Sequence, residues 1–340
     1  MLHKRYKQIA LTITLGLIGC NSTPTPTAQE TTSQPAGDRP SVIATTSVLC
    51  DMTQQVAVET VDLTCMVAPG EDPHLYQPTP EDRKAIDQAD LILYGGYDFE
   101  PALIKLIEAT SNPAPKVAVH EVAVSQPIMA EPHSHGHDHD HDHDHSHSHE
   151  ETAPDPHVWH SAQNGIRMVE TIRDNLEQIA PNHASLYNSN AQRITSELAQ
   201  IDTWIKAQIA TIPPQNRKLV TTHDAMNYYS QAYNIPIEGT LRGMSTEEAP
   251  TAARVSELVK DIRQSSVPTI FAEATINPRL IQTVAREANV QVSERKLFAD
   301  GLGEPGTDAD TYQNQLIANT RTIVEGLGGN YTPPQVASLN

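Results

Sequence analysis

From Ser41 onward, short runs rich in Val, Ile, Leu and Thr alternate with stretches whose apolar residues recur every third or fourth position. The runs fall at 42–49, 61–68, 91–94 and 116–122, then at 218–222, 236–241, 269–272 and 290–298, and each predicts a strand. The stretches between them predict helices, with a last one over 309–326. One helix carries a full start signal: Thr79 as N-cap, Pro80 at the first helical position and Asp82 three residues after the cap. Strand and helix in alternation predict an α/β fold with mainly parallel sheets covered by helices.

One stretch breaks the alternation. Leu186, Asn190, Ile194, Leu198, Ile201, Ile205 and Ile209 recur at spacings of four and three, all but Asn190 apolar. This spacing predicts a single amphipathic helix of about 29 residues, roughly 43 Å long at 1.5 Å per residue. Ile212-Pro213-Pro214 ends it. The expected organisation is an N-terminal α/β lobe over 41–181, a linking helix over 182–211, a C-terminal α/β lobe over 212–330 and an irregular tail over 331–340. Each lobe is expected to hold a four-stranded, mainly parallel sheet.

The chain before Ser41 does not follow this pattern. His3, Lys4, Arg5 and Lys7 precede an apolar stretch too short to span a bilayer, so residues 1–19 read as a signal peptide. Its end, Leu17-Ile18-Gly19-Cys20, resembles a bacterial lipoprotein signal. That resemblance implies cleavage before Cys20 and a lipid on its thiol, which anchors a chain without making it span the membrane. Residues 20–40, rich in Ser, Thr and Pro, read as a flexible tether. The remaining cysteines, Cys50 and Cys65, are either a disulfide or two buried free thiols; they lack the C-x-x-C spacing of a redox or zinc motif.

The 340 residues carry 23 basic against 42 acidic side chains, a formal charge of −19. That balance argues against a nucleic-acid partner and suits a cationic ligand, although a solvated acidic surface accounts for most of it. The histidines point more directly at metal. His133, His135, His137, His139, His141, His143, His145, His147 and His149 alternate with Asp, Ser and Gly, and DPHVWH follows at 155–160. Neutral imidazole is a preferred ligand of zinc and its first-row neighbours. A run of alternating His and Asp cannot form a core, so the loop over 132–152 is expected to be disordered and to bind several ions weakly as an accessory.

Outside that run, ligand-type side chains recur where strands end. His74 lies past the second expected strand, His157 past the fourth, His223 at the end of the first strand of the second half, and Asp300 after the last. In open α/β sheets, ligands bind outside the carboxyl ends of the strands. Three imidazoles and one carboxylate make a four-ligand set for zinc. Asp155 and Asp224 are candidates to support the ligating rings. Glu273 also ends a strand, ranking below Asp300 as a ligand, and His160, three residues after His157, is a substitute ligand or, the favoured reading, a surface residue. A zinc hydrolase would keep an open coordination position and a general base, and no H-E-x-x-H, G-x-S-x-G or P-loop is present. The chain is therefore not expected to be an enzyme.

At these residues the sequence resembles the metal-binding substrate-binding lipoproteins of zinc and manganese ABC transporters. The matching pieces are DPHLYQPTPED at 72–82, ADLILYGGYDFE at 89–100, DPHVW at 155–159, THDAMNYYSQAYNI at 222–235, GMSTEEAP at 243–250, FAEATINP at 271–278 and FADGLGEPGTDADTY at 298–312. The resemblance implies two four-stranded α/β lobes bridged by a long helix that restricts hinge motion, with the metal between them. It places His74, His157, His223 and Asp300 at the family's four ligand positions. Manganese-preferring members often carry Glu at the third position, so His223, like the His-rich insertion, implies Zn²⁺ as cargo with Mn²⁺ as the alternative. It further implies a monomeric, lipid-anchored receptor in the periplasm or on the outer face of the cytoplasmic membrane, with a permease and its ATPase as partners. The sequence departs from the commoner pattern after DPHVW, where His160-Ser161 replaces an aliphatic–acidic pair.

Overall fold

The computed structural model of the chain describes residues 39–129, 152–247 and 249–335. The signal segment, Cys20, most of the tether and the histidines from His133 to His149 lie outside the described residues. Among the described residues no helix is long and apolar enough to cross a membrane.

The first half is built on a four-stranded parallel sheet of β1 (Ser41–Ala44), β2 (Asp62–Cys65), β3 (Leu91–Tyr94) and β4 (Lys116–Ala118), in the order β2-β1-β3-β4. The run at 42–49 is not one strand. β1 stops at Ala44 and α1 (Ser47–Ala57) begins almost at once, with the Thr46 side chain accepting a hydrogen bond from the Leu49 N–H. Both elements are buried on the sheet side, so an apolar run alone cannot separate them; the N-cap threonine is what does. The run at 116–122 divides the same way, into β4 and the short α4 (Val119–Ala123). Between them, α2 (Pro80–Gln88) starts with the expected capping box of Thr79 and Asp82, and α3 (Pro101–Ala109) follows β3.

The centre of the molecule is a pair of long helices, α5 (Ala162–Ile179) and α6 (Ala184–Ala210). α6 has 27 residues, roughly 40 Å at 1.5 Å per residue. Ile194, Leu198, Ile201, Ile205 and Ile209 are buried as expected, but Leu186 is 39% exposed, and Tyr187 and Ala191 take the inward positions instead. Each step of four overshoots a 3.6-residue turn by about 40°, so the three consecutive fours between Leu186 and Leu198 carry Leu186 about 120° round the helix from Leu198 and off the buried face. The largest apolar cluster runs without a break from α1 through α5 and α6 to α7 (Asn227–Tyr233) and α10 (Tyr312–Gly326). The long helix is thus a core element of both halves as well as a connection between them.

The second half contains β5 (Leu219–Thr221), β6 (Ile237–Thr240), β7 (Thr269–Ile270) and β8 (Gln291–Val292), with α8 (Ala252–Ser265) and α9 (Arg279–Ala288) between them. β5–β6 and β7–β8 are parallel pairs. The Phe271 N–H, just past β7, bonds to the Val220 carbonyl of β5 at 2.9 Å, so the two pairs lie side by side where the first half has one continuous four-stranded sheet. β8 is far shorter than the run at 290–298, and a single parallel bridge between Glu273 and Leu297 continues the pairing beyond it. Cys50 on α1 and Cys65 at the end of β2 are disulfide-bonded, with Cα atoms 5.6 Å apart and a sequence separation of 15. A loop of that length constrains the unfolded chain by about 3 kcal/mol.

Candidate metal site

Each candidate side chain sits in the turn that ends a strand or opens a helix. The first is delivered by Asp72-Pro73-His74. Proline offers no N–H, so the Asp72 side chain reaches the next one, and its Oδ1 accepts from the His74 backbone at 3.0 Å. Asp155-Pro156-His157 repeats the device, with the His157 N–H 2.9 Å from Asp155 Oδ1. Here the same oxygen also takes the ring, 2.8 Å from His157 Nδ1. His223 follows β5. Glu273 Oε1 accepts from the backbone N–H groups of Thr222 (2.9 Å) and His223 (3.0 Å), and Oε2 lies 2.5 Å from His223 Nδ1. This carboxylate stands where a neighbouring strand would otherwise bond, which accounts for the early end of β5. Asp300 lies in the turn after Leu297, its Oδ2 accepting from Thr275 Oγ1 at 3.0 Å.

These turns bring four groups together. Asp300 Oδ1 lies 2.9 Å from His223 Nε2, 3.5 Å from His157 Nε2 and 3.7 Å from His74 Nε2. The His157 and His223 Nε2 atoms are 3.4 Å apart. One ligand-type atom from each of the four residues falls within 4.8 Å of all the others, and all four residues are buried. With Nδ1 of His157 and His223 facing carboxylates, both rings turn Nε2 to the common centre. His74 Nε2 and Asp300 Oδ1 are buried without a hydrogen bond. Leaving such an atom unsatisfied costs about 1–3 kcal/mol, which a cation at the centre would offset for both.

The electrostatics fit a cation too. Burial pushes the His157 imidazole down, but Asp155 and Asp300 outweigh it and leave the ring above its ordinary value. Burial acts the same way on His223, where Asp300 and Glu273 hold the ring well above its ordinary value. Asp300 is pushed up by burial, yet His223, His157 and His74 bring it well below the usual carboxylate range. On the first-half side Phe99 forms an apolar wall, its ring meeting His74 edge-on at 5.0 Å and His157 at 5.5 Å between centroids.

The supporting residues divide. Asp155 and Glu273 hold ligating-type rings. Asp224 stands one remove away: its Oδ1 accepts from Asn227 Nδ2 at 3.0 Å, and the same amide reaches Asp155 Oδ2 at 3.1 Å. His160 is not a surface residue. It is fully buried, and its Nε2 bonds to the Ala299 carbonyl at 2.8 Å, bracing the backbone beside Asp300. Burial pushes this imidazole down to about 3, so it is a neutral donor. Sequence reasoning missed Phe99, Thr275 and Asp72; the repeated Asp-Pro-His was a signal for the last. Outside the centre, a cavity of about 300 Å³ is lined by His74, Tyr97, Pro154, Pro156, Met244 and Ser245.

Residues 42–326 match the family described as "ZnuA: Zinc-uptake complex component A periplasmic". The chain is 30% identical over 327 residues to the metal ABC transporter substrate-binding lipoprotein ScbA of Streptococcus cristatus, covering 95% of this chain and 98% of the relative. It is 31% identical over 296 residues to the manganese ABC transporter substrate-binding lipoprotein PsaA of Streptococcus mitis, covering 86% and 90% respectively. Among solved structures, the periplasmic zinc-binding protein TroA of Treponema pallidum superposes with a TM-score of 0.75 at 29% identity, covering 85% of this chain and 99% of that one.

Proposed function

The chain belongs to the zinc-uptake component A family of metal-binding substrate-binding lipoproteins of ABC transporters, and from that premise we propose that it is an extracytoplasmic receptor that captures Zn²⁺ for import. His74, His157 and His223 each give Nε2 and Asp300 gives Oδ1. The observation that carries this reading is the convergence of those four buried atoms within 4.8 Å. A tetrahedron with bonds of about 2.0 Å has edges of about 3.3 Å. Four of the six separations, at 2.9, 3.4, 3.5 and 3.7 Å, straddle that value, and the two between His74 and the other imidazoles lie within 4.8 Å. Four protein ligands leave no open position for an activated water, which favours capture over hydrolysis.

The receptor is held to the membrane by a lipid on Cys20 and passes its metal to a permease driven by a cytoplasmic ATPase. Residues 133–149 collect ions weakly near the site. Manganese is the second reading, favoured by relatives named for manganese such as PsaA. Against it stands the nitrogen-rich donor set, since Mn²⁺ prefers oxygen. Metal content and zinc–manganese competition on the mature protein, with and without residues 133–149, test both readings. Zinc retention by both forms is expected; preferential manganese retention by the truncated form would overturn the zinc assignment, and loss of high-affinity binding on truncation would overturn the accessory role. A metal buffer or adhesin without transport would leave growth in chelated medium unchanged when the gene is deleted; impaired growth, rescued by metal, is expected.

A further inference from the structure

We propose that the hydrogen bond from Thr246 Oγ1 to Asp72 Oδ2 is a latch across the mouth of the metal site, setting how fast the ion leaves. The proposal rests on the receptor reading above. Of the four candidate ligands, His74 lines the 300 Å³ mouth cavity and the other three do not. The opposite lip is the loop carrying Gly243, Met244 and Ser245. The His74 turn and this loop are thus two walls of that cavity, the others being Tyr97, Asp98 and the segment at 153–156, and an ion leaving through it passes both.

Among the described residues, a side-chain bond ties those two lips. Thr246, 5% exposed, donates to Asp72 Oδ2 at 2.7 Å across 174 residues of sequence. The other Asp72 oxygen accepts from the His74 N–H at 3.0 Å, so the carboxylate grips the ligand's own backbone and the facing loop together. The loop is in turn tied to the His223 side. The Arg242 N–H donates to the Thr222 carbonyl at 2.9 Å, and the Asp224 N–H to the Gly243 carbonyl at 3.1 Å. Arg242 Nη1 also donates to the Thr246 carbonyl at 2.9 Å, fixing the latch residue in its loop. Thr246 and Asp72 thus join the turn that carries His74 to the strand end that carries His223.

The flank nearer Asp300 is held differently. There the Gly70 N–H donates to the Leu302 carbonyl at 3.1 Å, and the Leu302 N–H to Ser47 Oγ at 3.0 Å. Parting the lips while those bonds persist opens the mouth at His74 and leaves Asp300 in place. The latch is the contact that such an opening must break, so Asp72 and Thr246 are positioning residues and neither contacts the ion.

The test follows Zn²⁺ loss from the loaded mature protein to excess EDTA by stopped flow. Thr246→Val keeps the shape and removes the donor; Thr246→Ser restores the donor with less packing. Thr246→Val is expected to lose zinc about tenfold faster, equivalent to about 1.4 kcal/mol, with Thr246→Ser within about twofold of the parent. Asp72→Asn weakens the same bond from the other side, and the double variant should release no faster than the faster single one. Equal release rates for parent and Thr246→Val, failure of Thr246→Ser to rescue, or multiplicative effects in the double variant would overturn the latch. If the parent itself retains no metal, the receptor reading falls and the latch with it.

Discussion

The two Asp-Pro-His turns are built alike and put to different uses. In both, the aspartate Oδ1 accepts from the histidine N–H, at 3.0 Å for His74 and 2.9 Å for His157. Asp155 then turns that same oxygen on its own imidazole, at 2.8 Å from Nδ1. Asp72 instead gives its second oxygen to Thr246 on the facing loop. His157, like His223 with Glu273, is an inner ligand whose ring a carboxylate fixes, and neither has measurable exposure. His74 is the outer ligand, held through its backbone and the edge of Phe99, and it faces the mouth. A site that must both bind and release has reason to fix two imidazoles rigidly and leave the third responsive to opening.

The largest effect should come from the group common to both sides. Asp300 Oδ1 lies within 3.7 Å of all three Nε2 atoms. Asp300→Asn is expected to weaken zinc binding more than about 100-fold, beyond the range for losing a supporting partner. Competition against a chelator of known affinity measures it, and a loss below tenfold would remove Asp300 from the ligand set.

Acid should act through the inner pair. With His157 and His223 raised above the ordinary imidazole value, both rings hold a proton more readily in the metal-free protein than a free imidazole does, and any proton on Nε2 must leave for metal to bind. Affinity should therefore fall with decreasing pH from above about 6.5, by up to about 100-fold per unit where two protons are displaced. Stability runs the other way. A raised imidazole stabilises the metal-free fold fully below its unfolded value of about 6.5, and that contribution fades as pH rises through the folded values. The gap in Tm between loaded and metal-free protein should thus widen as pH rises. Calorimetry at fixed excess zinc across pH 5.5–8 reads it; a constant gap would place the displaced protons elsewhere.

Removing the ring-holding carboxylates should separate inner from outer more finely. Glu273→Gln and Asp155→Asn are each expected to cost about 10–100-fold in affinity. Asp224→Asn should cost under about threefold, since Asp224 Oδ1 reaches Asp155 through the Asn227 amide and does not itself hold a ligating ring. If Asp224→Asn matched Asp155→Asn, the amide relay from Asn227 would matter as much as the direct bond to His157.

What the chain alone disclosed follows the reach of each interaction. His223 and Asp300 were legible because a polar residue directly after an apolar run emerges at a strand's carboxyl end, whereas His74 and His157, well beyond β2 and β4, were legible through the pieces DPHLYQPTPED and DPHVW that carry the family resemblance. Asp155 was legible for being two residues from its ring. His160 was misjudged because its burial depends on the Ala299 carbonyl, 139 residues away. Thr246 and Asp72, 174 residues apart, gave no local sign of their pairing. Strand ends were overrun at 42–49 and 116–122 because the adjoining helices are just as buried. Leu186 was placed inward by a spacing of four that a real helix does not sustain.

The smallest effect concerns the wall between the two kinds of ligand. Phe99 meets His74 at 86° with centroids 5.0 Å apart and His157 at 74° and 5.5 Å, so one ring supports an outer and an inner imidazole. Phe99→Leu keeps apolar bulk and removes the edge-on contact, each such contact being worth about 0.5–1.5 kcal/mol. His157 has Asp155 to hold its ring and should stay in place; His74 lacks a carboxylate so placed in the Asp72 turn and should loosen. Zinc affinity is expected to fall about two- to fivefold, nearly all of it as faster release, since the outer ligand governs exit. Combining Phe99→Leu with Asp155→Asn sharpens the contrast. If Phe99 acts through His74, the two losses multiply; if it acts through His157, the second substitution costs less in the presence of the first.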